Sequence, residues 1–236
     1  MNMMRRSFLG FLTSLAFIGS ANAEGEAEAR KAASTAQLKK EGVPVIDHLP
    51  TIETAAESRR RTTDEVVKRA IALVIVAVKG ETNDRNLVSN LISQFGAEGF
   101  FTPKEQAFVG NPVATEQDRA NFSWRYEGAF VMLWALQVFK NLGRPDKPCD
   151  VSQLVSMLRD LDTEGLLKRV NLRPQSDLLD AADLIYRYDW AVVDARVNGK
   201  AAPAGLEPGV VVERHYALNW LIGYMGQEWD DISTDT

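Results

Sequence analysis

The sequence predicts an all-α protein: a single irregular helical bundle of about seven helices with an extended N-terminal segment. Three observations lead to this prediction. From Arg59 onward, apolar residues recur at the three- and four-residue spacing of a helix face. No window has the strict alternation, bounded by hairpin turns, that is typical of a strand. Helix-start signals recur along the chain, with short connections and no repeat period.

Most predicted helices begin at a side chain that accepts hydrogen bonds from the free N–H groups of the first turn. Capping boxes or similar patterns occupy Thr62–Glu65, Thr102–Glu105 and Thr115–Asp118, and single capping residues are Asn121, Asp150 and Ser176. The last three caps precede predicted helices over residues 122–142, 151–161 and about 177–197. A final helix, 210–225, follows Pro208 and is predicted to end at Gly226.

The composition excludes several classes of protein. With 27 Lys and Arg against 32 Asp and Glu, the formal net charge is −5, which argues against a dedicated nucleic-acid-binding protein because such proteins neutralise phosphates with basic groups. A single cysteine, Cys149, excludes an intramolecular disulfide bond and a thiolate-rich zinc site. The only histidines, His48 and His215, lie in separate segments, and no nucleotide-binding or hydrolase motif is present. We therefore predict no metal and no cofactor.

The first 23 residues have the three parts of a signal peptide. A basic start precedes an uncharged stretch, and Ala21-Asn22-Ala23 has the small-x-small cleavage pattern. Arg5-Arg6-Ser7-Phe8-Leu9 is similar to the twin-arginine export motif, although paired arginines also occur in general secretory signals. The apolar stretch 8–18 is shorter than the roughly 20 residues of a membrane span. Cleavage after Ala23 would therefore leave a periplasmic or secreted protein with no permanent membrane span.

Residues 24–58 are predicted to be a linker followed by an extended segment. Residues 24–40 are rich in Ala, Glu and Lys and have no regular apolar face before Leu38, which is typical of a solvated linker or a loose helix. Pro44 and Pro50 mark the extended part. The all-α domain is predicted over residues 59–236.

Two of the predicted helices carry charged residues on faces that should be buried. On the helix over 122–142, Arg125 and Glu127 each share a face with apolar residues but lie about 200° apart, so they cannot pair with each other. The last helix has no plainly solvated face, although Glu213, Arg214 and His215 lie on it. Buried charges persist only when they are paired and hydrogen-bonded, so partners are expected from another helix.

The helix over 177–197 offers possible partners. An acidic stripe, with one arginine and one tryptophan, falls within about 80° of arc and consists of Asp180, Asp183, Arg187, Trp190 and Asp194. One interpretation is a solvent-facing stripe. The other is that the stripe faces Arg125 and Arg214 and forms an interhelical ion network.

Four motifs lie in or near these same regions: Trp124-Arg125-x-Glu127, Leu179-Asp180-x-x-Asp183 continuing to Trp190, Glu213-Arg214-His215-x-Ala217-Leu218-Asn219-Trp220 and Trp229-Asp230-Asp231. With these motifs in this order, the chain resembles the bacterial family called domain of unknown function 4272, from roughly Gly42 to the C-terminus. The resemblance implies no known activity, substrate or catalytic residue. The signal peptide lies outside it.

Two functional hypotheses follow. The first is an exported, non-catalytic binding or accessory module for an unknown small molecule or protein, whose Arg/Asp/Glu network locks three helices. The alternative is a hydrolase-type enzyme that uses Glu213, His215 and Asp183 in an interhelical cleft. The candidate network or ligand site consists of Arg125, Glu127, Asp180, Asp183, Arg187, Trp190, Asp194, Glu213, Arg214, His215 and Asn219. A dry, fully paired cluster would favour the first hypothesis, and a solvent-filled cleft the second.

Overall fold

The computed structural model describes the backbone of residues 13–236 and the side chains of residues 24–236. Within this range every regular element is helical, which confirms the all-α prediction. The α-helices, in chain order, are α1 (Thr13–Lys40), α2 (Thr63–Thr82), α3 (Arg85–Phe95), α4 (Pro103–Gly110), α5 (Glu116–Ser123), α6 (Arg125–Ala135), α7 (Val151–Leu158), α8 (Thr163–Leu167), α9 (Gln175–Val197) and α10 (Pro208–Ile222). The described helices do not include one that is both long enough and apolar enough to traverse a bilayer. Most of the predicted signal peptide lies outside the described residues.

Helix α2 forms the centre of the bundle. It is buried almost continuously from Val66 to Gly80, as expected for an apolar helix without a solvated face. It packs along α5 and α6, while α10 packs between α6 and α9. At Gly80 an added Cβ would lie 2.7 Å from the backbone oxygen of Arg119 and 2.7 Å from the backbone nitrogen of Ser123. The close approach of α2 and α5 therefore requires glycine at this position.

The local helix-start signals were reliable where they form capping boxes. Thr62, Thr102 and Thr115 each accept a hydrogen bond from the backbone of the third helical residue, whose side chain returns the contact. Asp150 caps α7 through the N–H of Gln153, as predicted. The caps assigned to Asn121 and Ser176 are wrong, because both residues lie inside helices that begin earlier, at Glu116 and Gln175.

The predicted helix over 122–142 is wrong at both ends. A turn at Trp124 separates α5 from α6, and α6 ends at Ala135. The chain leaves the helix through Gln137, whose φ is +61°, and the N–H of Val138 bonds to the carbonyl of Leu133 at 2.9 Å. This is a Schellman motif in which glutamine occupies the position where glycine is usual. The sequence therefore did not predict that the helix ends here. The last helix also ends earlier than predicted, at Gly223 (φ +69°) instead of Gly226.

Of the two interpretations of residues 24–40, the solvated linker is wrong, because these residues are helical. They form the C-terminal part of α1, which packs along α9. The buried stripe of α1 consists of Ala27, Arg30, Ser34 and Leu38. Residues 41–58 contain no regular helix, as predicted, but Val43 and Leu49 are buried against the bundle. Residues 24–58 are therefore part of the packed structure.

Candidate functional site

Helices α6 and α10 are joined by two reciprocal salt bridges, which we call the crossed ion pairs. Arg125 of α6 donates to Glu213 of α10 through Nη1, at 3.0 and 2.8 Å. Arg214 of α10 donates through Nε to Glu127 of α6 at 3.1 Å. Each helix thus contributes one acidic and one basic residue. Arg125 and Glu127 have partners from another helix, as predicted.

The inner pair, Glu127 and Arg214, is almost completely buried: the two side chains are 2% and 4% exposed. Arg214 also donates through Nη1 to the carbonyls of Leu142 and Gly143, at 3.0 and 3.1 Å. The second oxygen of Glu127 accepts from the backbone N–H of Cys149. Such additional hydrogen bonds are what allow two charges to remain stable inside a protein.

The outer pair, Arg125 and Glu213, is closer to solvent, with side chains 22% and 16% exposed. Arg125 lies over the ring of Tyr216, 5.1 Å from its centroid. Its Nε is buried and has no hydrogen-bond partner among the described residues. Burial raises the pKa of Glu213, and the attraction of Arg125 only partly opposes that shift. The outer pair is therefore less completely compensated than the inner pair.

Arg125 and Arg214 pair with Glu213 and Glu127, not with the acidic stripe of α9, so the predicted network is wrong in its pairing. Asp183 and Arg187 pair with each other inside α9, at 2.6 and 2.9 Å, and both are buried. The solvent-facing interpretation is therefore wrong for these two residues. Asp180 is exposed and accepts from Arg30 of α1 at 3.0 Å. The rest of the stripe lies nearer the surface, with Trp190 half-buried and Asp194 exposed.

A further interhelical contact joins α9 to α10 through His215, whose Nδ1 lies 2.9 Å from Oδ2 of Asp189. Sequence reasoning missed Asp189. A signal was present, because Asp189 follows Ala182 and Ile185 at helical spacing on a buried face. Asn219, one turn along α10, donates to the carbonyl of Ser233 at 2.9 Å and so fastens the C-terminal segment.

The three residues of the enzyme hypothesis do not converge. Glu213 belongs to the outer pair, His215 pairs with Asp189, and Asp183 pairs with Arg187. Glu213 and His215 are two residues apart on α10, which places them on opposite faces. The structure therefore separates the proposed acid and base.

Cys149 is not an activated nucleophile. Burial raises the pKa of Cys149, so this thiol remains protonated at neutral pH.

A cavity of about 660 Å³ lies between α1, α9 and the segment that follows α6. We call it the cationic groove, because five basic residues line it against two acidic ones: Arg30, Lys140, Arg144, Arg173 and Arg214 against Asp177 and Asp180. No sequence pattern predicted it, since its basic residues come from four separate segments of the chain.

Two guanidinium groups in the cationic groove retain unused donors. Arg30 is 5% exposed, and it donates to Asp180 through Nε and to Glu26 through Nη2, at 3.0 and 2.7 Å. Its Nη1 is buried without a partner among the described residues. Nη2 of Arg214 likewise has no acceptor in the described part of the chain. By contrast, Arg173 donates to the carbonyls of Trp134, Phe139 and Lys140.

The described side chains contain no group of three or more His, Cys, Asp or Glu residues arranged to hold a metal ion. A family model described as Domain of unknown function (DUF4272) matches residues 30–232, a span that includes the crossed ion pairs and all of the residues lining the cationic groove. No curated protein and no solved structure matches the chain.

Proposed function

The chain belongs to the DUF4272 family of unknown function, and we propose that it is an exported, non-catalytic binding module that takes up a small organic anion in the cationic groove. The observation that carries the proposal is the lining of the cationic groove, in which five basic residues stand against two acidic ones. One of these basic residues, Arg214, has an Nη2 without an acceptor among the described residues. An anionic oxygen in the groove would accept from such a donor.

The charge distribution supports an anion. The whole chain has a formal net charge of −5, yet the groove is lined by five basic and two acidic residues. A cavity wall with an excess of one charge attracts ligands of the opposite charge. Guanidinium groups suit carboxylate, phosphate and sulfate oxygens because their N–H groups form a planar fork.

The shape supports an organic ligand of modest size. A volume of about 660 Å³ falls within the range of roughly 300–1,000 Å³ typical of small-molecule sites. Trp134, Leu184 and Ile185 supply apolar wall beside the charged groups. These residues would contact the non-ionic part of the ligand.

The groove is suited to binding more than to proton transfer. Asp180 is engaged by Arg30 at 3.0 Å and Asp177 by Arg173 at 3.8 Å. Burial raises the pKa of Tyr188, whose hydroxyl donates to Glu41. The groups nearest the ligand are therefore donors held in place by other contacts, which reduces the ordering that binding requires.

Export is proposed from the twin-arginine-like segment at the N-terminus. Cleavage after Ala23 would retain Arg30 and the part of α1 that packs on α9. The intact mass of the protein from a periplasmic fraction tests this part: a chain that begins at Glu24 is expected, and a full-length membrane-bound product would contradict it.

Isothermal titration of the purified chain tests anion binding. Benzoate and inorganic phosphate are expected to bind, and uncharged benzamide is not. Arg30→Gln should weaken benzoate binding by at least about tenfold, whereas Lys39→Gln, the same charge change at an exposed position of α1 outside the groove, should have little effect. Equal affinities of the two variants, or no anion binding by the unmodified chain, would contradict the proposal.

A further inference from the structure

A second cavity, on the other side of α10 from the outer pair, has the opposite electrostatic character. It has a volume of about 480 Å³ and lies between residues 50–57, α9, α10 and the C-terminal segment. Three carboxylates line it, from Glu53, Glu57 and Asp235, and the described lining contains no Lys or Arg. We call it the acidic cavity. Acidic residues alone do not define a site, so the argument depends on the other groups that reach it.

His215 gives the acidic cavity a buried acceptor. The residue is 2% exposed, lines the cavity, and is fixed by its Nδ1 contact with Asp189. When Nδ1 of a neutral imidazole donates to the carboxylate of Asp189, Nε2 is left as an acceptor. Nε2 has no hydrogen-bond partner among the described residues. Asp189 of α9 thus holds the imidazole ring in an orientation that leaves Nε2 for a ligand in the cavity.

Glu53 contributes one of the three carboxylates and is only partly buried. Its Oε2 is buried and has no partner among the described residues. A buried carboxylate oxygen without a donor is costly. A ligand that donates hydrogen bonds would satisfy Nε2 of His215, and three carboxylates favour a ligand that is positive.

Two aromatic rings form part of the remaining wall. Tyr186 and Tyr224 both line the acidic cavity, and ring faces attract organic cations. Burial raises the pKa of Tyr224, and the carboxylates of Glu53 and Asp235 raise it further. Arg187 lies 5.9 Å from the ring of Tyr186, is paired with Asp183, and donates to the carbonyl of the lining residue Pro50.

We propose that the acidic cavity binds an organic ammonium ion whose N–H groups donate to Nε2 of His215 and to the carboxylate of Glu53. A bare metal ion fits less well, because no described group of carboxylates and His is arranged to coordinate one. This site shares no lining residue with the cationic groove, so the proposal does not depend on the proposed function.

Isothermal titration of the full chain with benzylammonium, tetramethylammonium and Mg²⁺ tests the ligand class. Benzylammonium is expected to bind at least about tenfold more tightly than tetramethylammonium, which has the charge but no N–H to donate. Absence of benzylammonium binding at millimolar concentration, equal binding of tetramethylammonium, or binding of Mg²⁺ in its place would each overturn the proposal.

Three variants test the residues. Glu53→Gln and His215→Asn should each weaken benzylammonium binding by at least about tenfold, and Glu98→Gln, at an exposed position away from the cavity, should not. His215→Asn places an amide near the position of Nδ1, so the contact with Asp189 is retained while Nε2 is removed. Benzoate binding should be unchanged in Glu53→Gln, which separates this site from the cationic groove. If His215→Asn does not fold, Glu53→Gln decides, and wild-type affinity in that variant overturns the proposal.

Discussion

The inner and outer members of the crossed ion pairs have the same chemistry but different surroundings. The inner pair, Glu127–Arg214, is buried and has further hydrogen bonds to Leu142, Gly143 and Cys149. In the outer pair the Nε of Arg125 lacks a partner among the described residues, and the pKa of Glu213 is raised by burial. The inner pair therefore owes its compensation to these additional hydrogen bonds as well as to the salt bridge itself, and the outer pair has fewer of them.

The largest expected effect comes from breaking the inner pair. Glu127→Gln or Arg214→Met alone should lower the free energy of unfolding by about 3–5 kcal/mol, because each leaves an uncompensated buried charge. The double variant Glu127→Leu/Arg214→Met should lose less than the sum of the two single losses. Urea denaturation followed by circular dichroism measures this. Additive losses would mean that the two charges do not depend on each other.

Breaking the outer pair should have a smaller effect. Arg125→Met should lower the free energy of unfolding by about 1–2 kcal/mol, because Glu213 is 16% exposed and retains some access to water. The same urea experiment gives the value. A loss as large as that of Arg214→Met would remove the distinction between the two pairs.

Salt should weaken the outer pair more than the inner one. The screening length decreases from about 10 Å at 0.1 M ionic strength to about 3 Å at 1 M. Dissolved ions screen the outer pair more effectively because its side chains are more exposed than those of the inner pair. The coupling energy of Arg125 and Glu213, from a double-mutant cycle, should decrease by about 0.5 kcal/mol over this range, and that of Glu127 and Arg214 should change less. Equal salt dependence in the two cycles would contradict the assignment.

The smallest effect concerns pH. The pKa of Glu213 is higher in the folded chain than its ordinary value of 4.5. A carboxyl group of this kind favours folding below its unfolded pKa, and that contribution is lost as the pH rises through the folded pKa. The stability of Glu213→Gln relative to the unmodified chain should therefore improve from pH 4 to pH 7. Thermal unfolding at both pH values measures the difference, and a change of the opposite sign would show that Arg125 outweighs burial.

Features that depend on adjacent residues could be predicted from the sequence. The capping boxes at Thr62, Thr102 and Thr115 were predictable because the cap and its partner are three residues apart. The burial of Glu127 and Arg214 was predictable because each shares a helix face with apolar residues. The end of α6 was not, since Gln137 adopts a left-handed conformation that glutamine rarely takes.

Features that depend on the register between helices could not be predicted. Face arithmetic identified charges that need partners, but the choice of Glu213 for Arg125 depends on how α6 crosses α10. The packing of α1 could not be predicted from the sequence for a different reason. Its buried stripe contains Ala27, Arg30 and Ser34, so the apolar periodicity that usually marks a packed helix is absent.

Arg214 contributes to two regions of the molecule at once. Its Nε belongs to the inner pair, and its side chain also lines the cationic groove. An anion that engages the unused Nη2 would therefore contact the same guanidinium that joins α6 to α10. Occupancy of the groove and the thermal stability of the whole bundle should then rise together, so that a melting curve alone reports how much ligand is bound.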